Sequence, residues 1–285
     1  MSSQTPTPEL RQWIVEQARA GHAPEVVLKA MVSSGWQEDV ALATLEDTLQ
    51  GFLAQQAQPT TTETPAATPL PDLDLRDAPT VVRALDRDVH VLMAMQNPRV
   101  VALGGLLDAQ ECDELIELAR PRLVRSETID NATGGSEVNI ARTSDGMFFS
   151  RGDGLLITRI EARIAALLNW PVENGEGLQV LRYRPGAEYK PHYDYFDPAQ
   201  PGSVPILKRG GQRVGTLVMY LNTPDQGGAT TFPDVQLEVA PVKGNAVFFS
   251  YDRPHPATRS LHGGAPVRAG EKWVATKWLR VGRFD

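Results

Sequence analysis

A single cysteine, Cys112, in 285 residues excludes an internal disulfide, so nothing in the chain asks for an oxidising compartment. No apolar run approaches the ~18 residues of a membrane span. The opening MSSQTPTPEL lacks the basic and apolar regions of a secretory signal. A soluble, cytoplasmic protein with no membrane partner is expected. A basic stripe is also missing: 28 Lys and Arg face 35 Asp and Glu, a net charge of −7. Residues 1–80 hold 4 basic and 11 acidic residues, so the remaining 24 of each cancel. That balance excludes a nucleic-acid backbone as partner but not a small anion held by one buried cation. What is present is ordinary globular composition, 41% hydrophobic and 22% charged, in a chain long enough for one or two domains.

Residues 1–56 read as a small helical domain. Thr7-Pro8-Glu9 has the form of a helix start, and Leu10, Trp13, Ile14 and Ala18 follow helical spacing. Ala23-Pro24-Glu25 opens a second helix that Gly35 stops, and a third runs over 37–53. Three such helices closing on Gly35-Trp36 resemble a ubiquitin-associated-type bundle. The plainer reading is an appended domain that binds a protein. Residues 57–80 carry five Pro and six Thr and read as a semi-rigid linker, with Leu70, Leu73 and Leu75 leaving an ordered arm as the rival.

Residues 81–285 form the second domain. Helices are expected over 81–91, 107–120 and 154–168, the middle one opened by Asp108 with Glu111 at capping-box spacing. Strands follow at 177–183, 213–221, 246–249 and 272–279 between Gly/Pro turns. The fold class is α+β, with a double-sheet barrel or jelly roll and flanking helices.

Chemistry concentrates in Tyr189-Lys-Pro-His192-Tyr-Asp194. On a strand, positions i and i+2 share a face, so His192 and Asp194 reach a common point. Alone, that pair is as readily a surface feature. A second imidazole, His262, would complete two His and one carboxylate, a set suited to Fe(II) with open positions. If the cosubstrate is a 2-oxo diacid, its far carboxylate needs a buried cation. Lys272 lies ten residues beyond His262, sharing a strand face with Val274, Thr276 and Trp278. The rival for Lys272 is a solvated edge lysine, a description that suits Lys277 better. His255, between two prolines, and His22 and His90, in expected helices, are set aside as ligands.

The sequence resembles the prolyl 4-hydroxylase family of Fe(II)/2-oxoglutarate dioxygenases over residues 98–285. The matching stretches are 101–116, Arg142-Thr-Ser-Asp-Gly146-Met-Phe-Phe, Leu178–Tyr183, Tyr189–Asp194, Arg213–Asn222, Gly227-Gly-Ala-Thr-Thr-Phe-Pro233 and His262–Trp273. The resemblance implies a double-stranded β-helix core. It implies that His192, Asp194 and His262 bind Fe(II), and that Lys272, Tyr183 and Thr216 hold the far end of 2-oxoglutarate. Arg142, Tyr189 and Trp278 match residues lining a peptide groove, and 198–211 falls where the family has a flap. O2 is then the second cosubstrate, ascorbate (vitamin C) the reductant, and succinate and CO2 the products of prolyl hydroxylation.

Three rivals define what must be tested. The same cofactors serve enzymes acting on free amino acids or small metabolites. A non-enzymatic scaffold would not need His192, Asp194, His262 and Lys272 together. A zinc hydrolase would want a poised general base instead of a buried lysine.

Overall fold

The computed structural model describes residue 6 and residues 8–19, 23–57, 70–126, 128–129, 135–137 and 143–285. The chain divides into two compact units, Met1–Thr64 and Pro65–Asp285. In the first, helices Pro8–Arg19, Pro24–Ser33 and Glu38–Ala57 bury Ile14, Val27, Met31, Ala41 and Leu45, with Trp13 and Trp36 packed against them. Gly35 takes a φ of +93°, the left-handed turn that ends the second helix.

The second unit is built on two antiparallel sheets. The larger has nine strands in the spatial order Val81–Ala84, Arg87–Met95, Arg99–Gly104, Ala246–Ser250, Arg213–Tyr220, Lys272–Arg280, Leu178–Tyr183, Asp145–Phe149, Val124–Arg125. The smaller has four, Leu237–Val239, Thr230–Phe232, His262–Gly264 and Tyr189–His192. This two-sheet core with flanking helices fits a jelly roll. Helices Ala109–Ala119 and Gly154–Leu168 contribute Cys112, Leu115, Ile157, Ile160 and Ile164 to a core with Leu103, Leu217, Met219 and Trp273 of the large sheet. Alternate residues of those strands, including Tyr220, Phe249 and Val274, point the other way and pack with Phe232 and Val267. The expected capping box is present, Asp108 accepting from the Glu111 N–H at 2.8 Å and Glu111 accepting from the Asp108 N–H at 3.0 Å.

Three expectations need correction. Residues 81–91 are not a helix but the start of a hairpin, which turns at Leu85 (φ +55°). Val89 is buried while His90 and Leu92 are exposed, the period-2 pattern of a half-covered strand, so His90 lies on a strand. Residues 70–80 belong to the second unit as an ordered arm. Leu73 is buried in its core, the Asp72 N–H donates to the Leu168 carbonyl at 3.0 Å, and Arg99 forks onto Asp72. The rest of the expected linker, 58–69, lies outside the described residues, as does His22. Lys277 is not solvated: it is 2% exposed and donates to Glu161 at 2.5 Å. Strand Lys272–Arg280 is central and covered on both faces, so its lysines are buried. Among the described residues no helix is long and apolar enough to cross a membrane.

Candidate metal centre and cosubstrate pocket

The small sheet places His192 and His262 directly opposite each other on adjacent strands, with ring centroids 4.4 Å apart. Asp194 lies two residues beyond the end of its strand, in a bend, and still turns its carboxylate inward. Its Oδ1 is 3.6 Å from His192 Nε2 and its Oδ2 is 3.3 Å from His262 Nε2. One ligating atom from each of the three residues falls within 4.8 Å of the other two, the one such cluster among the described residues. The Nδ1 atoms are committed elsewhere: His192 donates to the Lys190 carbonyl at 2.8 Å, and His262 to the Ser260 carbonyl at 3.0 Å. A carbonyl only accepts, so each Nδ1 carries a proton, and in the neutral ring that a metal requires each Nε2 presents its lone pair. Burial lowers the pKa of His192, which favours the neutral ring. Two lone pairs aimed at a carboxylate repel unless a cation lies between them. This donor set fits a borderline divalent ion such as Fe(II).

The carboxylate has its own support. Without a metal, burial works to raise the Asp194 pKa, but positive charge and hydrogen bonds from the adjoining imidazoles hold it well below the ordinary value. Thr216 Oγ1 donates to Asp194 Oδ2 at 2.7 Å and shares a 2.9 Å bond with the Tyr251 hydroxyl. Arg213 approaches the Asp194 carbonyl at 3.5 Å.

The three groups line one end of an open cavity of about 460 Å³. Lys272, Val274, Thr276 and Trp278, alternate residues of one strand, all line it, as the strand period requires. Lys272 is 4% exposed, and no carboxylate pairs with it among the described residues. Its ammonium lies 5.4 Å from the Tyr183 ring and 5.8 Å from the Tyr220 ring. Burial lowers its pKa to about 8. A buried cation facing a cavity without a counter-ion is the electrostatic complement of an anionic ligand.

The remaining expected residues divide. Tyr183, opposite Lys272 on the neighbouring strand, lines the cavity, and so does Tyr189, stacked on His192 at 3.7 Å between centroids. Trp278 is 7% exposed, lines the cavity, and its Nε1 is buried without a hydrogen-bond partner. Arg142 lies outside the described residues. Thr216 corrects its expectation. It pairs with Trp278, at the far end of the strand from Lys272, and its hydroxyl serves Asp194. A second hydroxyl of the cavity belongs to Thr230, which sequence reasoning missed. Thr230 is 4% exposed, faces the cavity, and accepts from the Tyr220 hydroxyl at 2.8 Å, leaving its own proton to donate. A usable signal lay in the Gly227–Pro233 stretch, one of the motifs that carry the resemblance; in the structure its Gly228 lies against the Lys272 side chain, where a Cβ would come 3.1 Å from Cδ. His255 is not near the cluster; it caps the turn Pro256–Thr258, accepting from the Ala257 N–H at 3.0 Å.

The profile of the 2OG-Fe(II) oxygenase superfamily matches residues 178–280, the stretch that holds both histidines, Asp194 and Lys272. Prolyl 4-hydroxylase 5 of Arabidopsis thaliana is 42% identical over 209 residues, covering 66% of this chain and 70% of that protein. Prolyl 4-hydroxylase 2 of the same plant is 40% identical over 218 residues, covering 68% and 71%. The chain belongs to the prolyl 4-hydroxylase family of 2-oxoglutarate-dependent dioxygenases. A solved viral collagen prolyl hydroxylase from Paramecium Bursaria Chlorella virus-1 aligns with a TM-score of 0.49 at 31% identity, covering 64% of this chain and 95% of that one. The family assignment rests on the sequence relatives.

Proposed function

We propose that the chain hydroxylates a prolyl residue in a peptide or protein, converting 2-oxoglutarate and O2 to succinate and CO2. The observation that carries this reading is the pairing, in one cavity, of the His192–Asp194–His262 cluster with the Lys272 ammonium, which no carboxylate of the described residues neutralises. His192, Asp194 and His262 would hold Fe(II), which supplies the oxygen chemistry that side chains lack. Lys272 binds the far carboxylate of 2-oxoglutarate by charge, and Thr230 donates its free hydroxyl proton to the same group. Val274, Leu181 and Val218 line the cavity with apolar surface, which strengthens that charge interaction by excluding water. Trp278 and Tyr189 form an aromatic wall for the prolyl ring, and the unpaired Trp278 Nε1–H is a donor for a peptide carbonyl. The first unit, which contributes none of these residues, is read as a module that binds a protein partner. The test is succinate release and gain of one oxygen atom on a proline-containing peptide supplied with Fe(II) and 2-oxoglutarate. Turnover of a free amino acid but not the peptide would reject the substrate class.

A further inference from the structure

Behind Trp278 the fold builds a stack whose outer members, Phe196, Arg280 and Phe284, the chemistry above does not use. The Arg213 guanidinium lies 4.1 Å over the Trp278 ring and 4.8 Å over Phe196. Arg280 lies 4.8 Å over that same Phe196 and 5.1 Å over Phe284. Rings and cations therefore alternate from Phe284 through Arg280, Phe196 and Arg213 to Trp278. Glu176 bridges the two cations, accepting from Nε of both arginines at 2.6 Å. Glu176 is 6% exposed, and the paired guanidinium charges hold its pKa down against burial, so the carboxylate is charged.

The same residues close the base of segment 198–211. The Phe196 N–H donates to Gln212 Oε1 at 2.8 Å, and Gln212 Nε2 donates back to the Phe196 carbonyl at 2.6 Å. Arg280 Nη1 donates to the Gly211 carbonyl at 2.7 Å, and the Gly282 N–H to the Gly210 carbonyl at 2.9 Å. Arg209 reaches across to Phe284, its guanidinium 4.5 Å over the ring, and donates to the Asp285 carbonyl at 2.8 Å. Phe284 is thus the one ring among these that touches both the segment, through Arg209, and the stack, through Arg280. Its backbone is fixed, the N–H donating to the Glu173 carbonyl at 2.9 Å and the carbonyl accepting from Arg151 at 2.6 Å.

We infer that Phe284 is a positioning residue: its ring faces anchor segment 198–211 and, through Arg280, Phe196 and Arg213, set the Trp278 wall against which a peptide lies. The substrate half of this inference rests on the peptide reading above; the anchoring half does not. The test compares Phe284→Leu, which keeps apolar volume and loses the ring face, with Phe284→Tyr, which keeps the face. Limited trypsin digestion of the metal-free protein reads cleavage after the exposed Lys208 and Arg209, relative to cleavage elsewhere in residues 65–285. The leucine variant should raise that ratio about fivefold, the scale of a lost cation–ring contact, and the tyrosine variant should not. With iron and 2-oxoglutarate, the leucine variant should raise KM for a proline peptide several-fold and leave kcat and peptide-free succinate release unchanged. An unchanged cleavage ratio overturns the anchoring. A raised ratio with unchanged peptide KM overturns the link to Trp278. If the parent protein turns over no peptide, the substrate reading fails while the cleavage result still decides the anchoring.

Discussion

His192 and His262 face each other across one antiparallel ladder, and each donates its Nδ1 proton to the carbonyl two residues earlier in the chain, Lys190 for one and Ser260 for the other. The two rings are held by the same local device, so neither depends on the metal for its tautomer. Both Nε2 atoms and the Asp194 carboxylate are prepared before an ion arrives.

Removing one of these donors should cost the metal and spare the fold. His192→Ala, Asp194→Ala and His262→Ala should each lose more than about a hundredfold in turnover, since even outer partners of a metal site cost 10–100-fold. An Fe(II) or Co(II) binding titration should weaken in parallel. His255→Ala should stay within a few-fold of the parent, because its work is to accept one backbone N–H. Full activity in His262→Ala would move the third ligand.

Lys272→Ala should raise the 2-oxoglutarate requirement and leave metal binding in place. The stranded carboxylate costs about 2–5 kcal/mol, the scale for truncated buried charge pairs. Lys272→Arg should also be poor, since a planar fork does not fit a point-charge site. Affinity should depend on pH in a stated direction. With its pKa lowered to about 8, Lys272 is charged below that pH and neutral above it, so cosubstrate affinity falls as pH rises through 8. Its effect on stability has the opposite sign. The unfolded chain binds this proton up to about 10.5, so the burial penalty shrinks between pH 8 and 10.5. Calorimetric titration with 2-oxoglutarate at pH 7 and pH 9.5 reads the difference; equal affinities would remove Lys272 from the pocket's chemistry.

Thr230 and Thr216 separate by their hydroxyl partners. Thr230→Val should raise KM for 2-oxoglutarate about tenfold, the scale of one hydrogen bond to a charged group. Thr216→Val should leave that KM alone and weaken metal binding through Asp194. The reverse pattern would restore Thr216 to the lysine end of the cavity.

Much of this site is legible in the linear chain because its spacings are local. His192 and Asp194 are two apart, and Lys272, Val274, Thr276 and Trp278 alternate along one strand, so their shared faces follow from the pleat. The capping box at Asp108 and the helix over 154–168 are legible for the same reason. What stays hidden depends on neighbours distant in sequence. Thr216 and Thr230 are both strand threonines, and only the third dimension shows that one bonds Asp194 and the other the Tyr220 hydroxyl in the same cavity. Lys277 reads as solvated until Glu161, 116 residues away, is placed against it. The hairpin over 81–95 is masked by Ala84 and Leu85, which extend an apolar run across a turn.

Truncation tests the arm. A chain starting at residue 65 should fold like the second unit of the full protein, whereas one starting at residue 81 loses the Leu73 burial and the Asp72–Arg99 fork. Burial of one leucine alone is worth about 1.5–3 kcal/mol, and at roughly 2–4 °C per kcal/mol the shorter chain should melt about 5–10 °C lower. Equal melting temperatures would return residues 70–80 to the linker.

The most direct measurement pairs two products in one reaction. The full chain, Fe(II), 2-oxoglutarate, ascorbate and a proline-containing peptide are incubated in air, with succinate quantified and the peptide read by mass spectrometry. Above the peptide-free background, we expect one succinate for each peptide that gains an oxygen atom on proline, with both signals lost in His262→Ala and both restored by high 2-oxoglutarate in Lys272→Ala. Succinate without peptide oxidation across a panel of proline peptides, or neither product from the parent chain, would contradict it.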